Sequence, residues 1–281
     1  MADVLVDTLL DALKTLPFLF FAYLVIEFIE HRAAEKFANW LSKFGKAGSF
    51  VGALLGVVPQ CGFSVMAANL YSNRIITAGT LIAVFISTSD EAIPVLLSDP
   101  QSAGKILPLI LSKVLIAAVA GTVIDFSGIF KTSKADSDAV TEAHSHCHTE
   151  EHGGILKSAI RHTFGTFIFL IIVMLVLNTA IYFIGEEAFN EFLMGGSIFQ
   201  PLFAGLVGLI PNCAASVVIA QLYAQNAISF GSAIAGLSAG SGMGFLLLLK
   251  TDVDKKECFK IISLLFAISV LTGIAVQFLV G

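Results

Sequence analysis

Apolar runs recur along the whole chain, at Pro17–Ile29, Ser49–Val58, Ile75–Ser87, Ile106–Ile124, Phe164–Phe183, Ile198–Ile210, Ala227–Leu249 and Ile261–Val280. Several reach the roughly 20 residues that an α-helix needs to cross hydrocarbon. Only 13% of the 281 residues are charged, against about 25% in a soluble domain. The sequence therefore reads as an all-α polytopic membrane protein with about 8–10 membrane segments. The net charge of −5 says little, because most charges fall in short loops. The start, MADVLVDTLLDALK, is acidic before its first apolar run, so no cleavable signal peptide is expected. Cys61, Cys147, Cys213 and Cys258 form no CxxC pair, and two lie inside apolar segments, so no disulfide framework is expected.

The chain repeats itself. GVVPQCGFSVMAANLY at 56–71 returns as GLIPNCAASVVIAQLY at 208–223, and adding 152 to a position in the first half lands on its partner without gaps. Pro59 meets Pro211, Cys61 meets Cys213, Ser64 meets Ser216 and Tyr71 meets Tyr223; the register persists at Gly79/Gly231 and Gly121/Gly273. Three parts follow: a first transmembrane repeat over 1–126, a polar His-rich linker over 127–157 and a second repeat over 158–281. Lys and Arg favour the cytoplasmic side. If each half holds one full span, a re-entrant hairpin folded at its proline and two more full spans, the halves are inverted. Arg32, Lys36, Lys43, Lys46, Arg74, the linker cations and those from Lys250 to Lys260 then share one side, leaving Lys14, Lys105 and Lys113 on the other. A proline segment that crossed fully would split the charges more evenly. The expectation is therefore two inverted repeats, a cytoplasmic linker and both termini outside.

The proline motif carries the chemistry. Proline lacks the amide N–H and clashes with the preceding turn, and broken helices in a bilayer occur only where they are buried or line a wet cavity. In inverted repeats such breaks bind ions or substrates near the midplane. Each break here brings an amide, a thiol and a hydroxyl: Gln60, Cys61 and Ser64, then Asn212, Cys213 and Ser216. The alternative is that Pro and Gly only kink packed helices while Cys and Ser ease close packing. Downstream, AVFISTSDEAIPVLL sets Ser89, Asp90 and Glu91 among apolar residues, and carboxylates at membrane depth mark ion paths or proton relays. Their counterparts are Ser241, Gly242 and Met243, so the charge is one-sided. Asp90 also reads as a helix N-cap, a role compatible with function. Lys113, about two turns into a span, is expected to snorkel to the outer surface, and Asp125, at a span end, to be solvated. Glu27 reads as an interfacial charge and Asn178 as interhelical glue.

The linker supplies His144, His146, Cys147, His148 and His152. Imidazole and thiolate suit borderline and soft metals, and a His-rich tract is compositional evidence for metal handling. An intramembrane enzyme with Cys61 or Ser64 as nucleophile needs a positioned base, but every histidine, His31 and His162 included, falls in the linker or near a membrane surface. No enzyme is expected.

PQCGFSVMAANLY with TAGTLIAVFISTSDEAIP, followed by PNCAASVVIAQLY, resembles a bacterial family of ten-span heavy-metal exporters whose members are described as arsenic efflux proteins or manganese transporters. The likeness covers nearly the whole chain and implies metal export across the bacterial inner membrane. Oxygen ligands from Gln60, Ser89, Asp90, Glu91 and Asn212 suit Mn2+ or a similar divalent cation, while Cys61 and Cys213 together would suit arsenite. An organic-anion transporter is the rival reading, against which the acidic pair argues. No GxxxxGK[ST] motif is present, so coupling is expected to be secondary, by proton exchange. No cofactor beyond the transported ion and no nucleic-acid partner is expected; the partners are the lipid bilayer and the metal, and a homo-oligomer is compatible with the chain.

Overall fold

The computed structural model describes residues 48–58, 61–89, 92–99, 101–130, 197–210, 213–251 and 253–280, with isolated positions between 16 and 24 and between 160 and 175. The expected span at Pro17–Ile29, the linker and the polar stretches after Trp40 and around Glu186–Glu191 lie wholly or largely outside these residues. The fold is mostly helical, with no strand among the described residues.

Five helices of the first half are α1 (Gly48–Leu55), α2 (Cys61–Ser72), α3 (Ala78–Ser87), α4 (Ala92–Ser98) and α5 (Ile106–Ser127). The second half has α6 (Gln200–Gly208), α7 (Cys213–Ala224), α8 (Phe230–Ala239), α9 (Met243–Lys250) and α10 (Lys255–Val280). The offset of 152 superposes α2 on α7 and α3 on α8 end for end. Their junctions match atom for atom. α2 and α7 close in the same left-handed turn, with φ 59° at Arg74 and 57° at Asn226. In each turn two amides fold back, Arg74 N to Tyr71 O and Ile75 N to Leu70 O, then Asn226 N to Tyr223 O and Ala227 N to Leu222 O, which satisfies the last carbonyls of the helix. Thr77 and Ser229 then cap α3 and α8, each hydroxyl accepting the amide three residues on.

Glycines fix the helix directions. α1 runs beside α3 in the same sense: a β-carbon at Gly48 would lie 2.6 Å from Thr80 Oγ1, and one at Gly52 3.1 Å from Val84. Farther along, Gly56 meets Ser87. α6 and α8 repeat this, with Gly236 against Ala204 and Gly240 against Gly208. α5 runs opposite to α3, its Gly121 on Gly79, as Gly273 of α10 does on Gly231 of α8. Small residues allow backbones this close in a membrane.

Among the described residues, four stretches are long and apolar enough to span a membrane: Ala78–Ser98, Ala103–Ser127, Phe230–Lys250 and Lys255–Leu279. The first and third are interrupted. α3 stops before an extended Thr88 and α4 starts at Ala92; α8 stops before Gly240, and Gly242 adopts φ 51°. One of the two full spans expected after each proline is thus broken as well. These broken segments are the buried interior, whereas α5 turns Leu107, Leu111, Leu115, Val119 and Val123 outward as one exposed stripe, the pattern of a helix facing lipid.

The halves exchange partners. α2 packs against α9 and α7 against α4. Phe63 and Met66 share one core with Phe245 and Leu248, and Val95 and Leu96 share another with Val217 and Ala220. Phe85 meets Phe245 edge to face at 5.7 Å. At the end of α2, Arg74 forks onto Glu257 at 2.7 and 3.0 Å, and Tyr71 donates to the same carboxylate. Hydrogen bonding to Glu257 raises the pKa of Arg74 above its ordinary value. At the end of α7, Lys105 donates to Tyr223 O at 3.1 Å, Ala224 O at 3.0 Å and Asn226 Oδ1 at 2.7 Å. Lys105 and Glu257 are repeat partners, so one latch is built twice with opposite charge.

Candidate functional site

The breaks in α3–α4 and α8–α9 expose main-chain carbonyls that a continuous helix would have used. Lys113 answers them. It lies on the buried stripe of α5 with Leu109, Ala117 and Gly121 and is 0% exposed. Its Nζ donates to Thr88 O at 2.6 Å, Ser89 Oγ at 2.8 Å and Leu237 O at 2.9 Å. The expected snorkelling lysine is therefore a core residue. Burial without partners would be costly for a charge, and helix C-terminal carbonyls are the favourable place for a cation. Thr88 caps the end of α3 and Leu237 sits in the last turn of α8, so a single ammonium joins the broken helices of both halves.

Ser89 and Ser216 come together in one small cleft, with Ala215 and Leu237 and the bare backbone of Gly208, Gly236, Gly240 and Gly242. The glycines leave main-chain atoms facing the space. Ser64 is fully buried beneath α9, where a β-carbon at Gly244 would lie 3.0 Å from Ser64 O. Ser241 is fully buried, and its hydroxyl has no hydrogen-bond partner among the described residues. So two of the four expected serines share a cleft, and the other two are packed away.

Gln60, Asp90, Glu91 and Asn212 lie outside the described residues, as do His144, His146, Cys147, His148 and His152 of the linker. Cys61 and Cys213 open α2 and α7, but their side chains are outside the described part. Among the described residues no three His, Cys, Asp or Glu side chains gather as a metal cluster. Cys258 is buried, its thiol directed at Leu248 O at 3.4 Å.

Asp125 is a second correction. Rather than being solvated, it accepts hydrogen bonds from Ser49 Oγ, Thr77 Oγ1 and Gly79 N, the last two at 2.8 and 3.0 Å. It ties the end of α5 to the starts of α1 and α3. Its counterpart Gln277 takes the hydroxyl of Ser229 at 3.3 Å and donates to Ser197 O at 3.2 Å.

Lys113 was legible in outline. Its spacing from Leu109, Ala117 and Gly121 puts it opposite the lipid-facing stripe, and its counterpart in the second half is Leu265, a fully buried core residue.

Neither curated proteins nor solved structures yield a match to the chain. The ArsP_2 family, described as "Putative, 10TM heavy-metal exporter", matches residues 1–194 and 173–280. With apolar helices of membrane length and coverage from end to end, the chain belongs to this heavy-metal exporter family.

Proposed function

We propose that this chain is a secondary-active exporter of a divalent metal cation, Mn2+ fitting best, with its site at the breaks of the two repeats. One observation carries the reading: oxygen atoms from both halves converge there. Ser89 and Ser216 face one cleft, and Thr88 O and Leu237 O meet at one point. Oxygen ligands suit a hard divalent ion. Asp90 and Glu91 directly follow Ser89, while Gln60 and Asn212 follow the two prolines. In this reading the carboxylates bind the metal and release it when protons from outside reach them. Cys61 and Cys213 add a soft contact that disfavours Mg2+ and Ca2+, and the linker's His144, His146, Cys147 and His148 deliver metal from the cytoplasm.

The repeats are read as inverted, each with a hairpin at its proline. Support comes from contacts. α1 and α3 run the same way although α2 lies between them in sequence, as expected if α2 doubles back. The end of α2 meets the start of α10, and the end of α7 meets the residue just before α5. Parallel repeats would put those ends on opposite faces. This arrangement gathers Arg74, Lys260 and the linker on one side, the cytoplasmic one by charge, leaving both termini outside the bacterial inner membrane.

A buried ammonium also favours a second reading, an organic anion as cargo. Its hydrogen bonds to three chain oxygens leave it little attraction to offer. Uptake of radioactive Mn2+ into inverted vesicles, against labelled arsenite and a panel of organic acids, separates these cargoes. Asp90→Asn should abolish the flux while inserting normally, and undiminished flux would remove Asp90 from the site.

A further inference from the structure

The exporter reading leaves Lys113 without a task. We propose that its ammonium is a tethered cation, filling a cage of oxygens built by the two broken helices, and that the transported cation displaces it there. The displacement rests on the metal-export reading; the cage can be tested without any transport.

The geometry is that of a cation site. Three oxygens lie 2.6–2.9 Å from Nζ, two of them main-chain carbonyls from different repeats. Both carbonyls sit at helix C-terminal ends, which carry partial negative charge. An ammonium is a donor only, with no acceptor of its own, which suits a site lined by acceptors. Unwound carbonyls and half-helix C-termini are also what coordinate small cations in broken-helix transporters. Packing does not explain the lysine, because the second repeat closes the equivalent position with Leu265. The charge occurs only in the repeat that also carries Asp90 and Glu91; the other has Gly242 and Met243.

Cage and cleft share atoms. Ser89 belongs to both, and Leu237 lines the cleft while its carbonyl holds Nζ. A metal bound to these oxygens would face the ammonium at close range in a medium of low dielectric, where like charges repel strongly. Metal arrival therefore expels Nζ, and departure lets it return. The ammonium thereby keeps the cage neutralised while the empty carrier reorients.

The test uses the purified full-length protein. Lys113→Ala vacates the cage, and its Tm is compared in choline, potassium, methylammonium and ammonium chloride at equal ionic strength. The small cations should raise the Tm by about 5 °C over choline, with the wild type unmoved. Lys113→Met, uncharged and one atom shorter so that the place of Nζ stays open, should show the same rescue. It should also bind Mn2+ about tenfold more tightly than wild type when titrated by the metal's EPR signal. The proposal is overturned if neither variant gains stability from any small cation, including the case in which neither folds in any of these salts. Weaker Mn2+ binding by Lys113→Met would equally overturn displacement and leave the lysine a positioning residue. Should the wild type bind no Mn2+ at all, the metal-export reading fails, while the ammonium series still decides the cage.

Discussion

The first repeat breaks its buried helix at Thr88 and Ser89, which two acids follow in sequence, the second at Gly240, Ser241 and Gly242. The helices before the two breaks match in length and capping, yet the ammonium that bonds to both breaks comes from the first repeat alone, and its counterpart in the second is the buried Leu265. Duplication set the geometry, and divergence then placed the charge on one side only.

Paired substitutions test how far the repeats differ. The largest effect is expected at Gly56 and Gly208, which are repeat partners. A β-carbon at Gly208 would collide with the backbone carbonyl of Gly236, whereas at Gly56 the first obstacle is the Ser87 hydroxyl, which can rotate. Gly208→Ala should cost about 3 kcal/mol or more and Gly56→Ala about 1–2 kcal/mol, read as thermal stability in detergent. Equal losses would mean that the two seams are packed alike. Next comes the polar tie at the far end of the same helices. Asp125→Ala removes the acceptor of three hydrogen bonds and should cost about 2 kcal/mol, Gln277→Ala about 1 kcal/mol.

The two latches should give smaller changes in stability, of about 1 kcal/mol, but opposite changes in access. Glu257→Gln loosens the face carrying Arg74, and Lys105→Met loosens the other. In a Ser216→Cys background the first should speed labelling by an impermeant maleimide from the Arg74 side, the second from the opposite side. Identical effects on both sides would break the mirrored assignment. Smallest of all is the serine pair. Ser89→Ala forfeits a bond to Lys113 and should cost about 1 kcal/mol, while Ser241→Ala removes a buried hydroxyl that has no partner among the described residues and should change stability by less than about 0.5 kcal/mol.

Much of this architecture could be read in advance. The 152-residue offset carried the ends of α2 and α3 onto those of α7 and α8, because the same turn and cap residues recur at the same spacing. The break at Thr88 was not foreseen, because the run was read as a full span, although polar residues in an apolar run mark the place. What escaped were partners distant in sequence. Lys113 was judged by its distance from the end of a span, although its helical phase with Leu109 and Gly121 pointed inward. Asp125 was judged solvated because Ser49 and Thr77, which hold it, come near only through the parallel course of α1 and α3. Of the candidate site, Ser89 and Ser216 share a cleft. Ser64 and Ser241 are sealed by packing that no local pattern encodes.

The glycine pairs have a mechanical consequence. Where Gly121 rests on Gly79, and Gly273 on Gly231, a β-carbon on the second helix would lie 2.6 Å from the first helix's carbonyl oxygen. Neither seam has slack for even a methyl group. Each crossed pair, α3 with α5 and α8 with α10, should behave as a stiff beam rather than two rods free to slide. Any movement of the packed helices must then be taken up where α2 rides on α9 and α7 on α4, across Phe63, Phe245 and Leu248 and their counterparts. Those larger side chains can swap rotamers, so give belongs between the halves and stiffness within them.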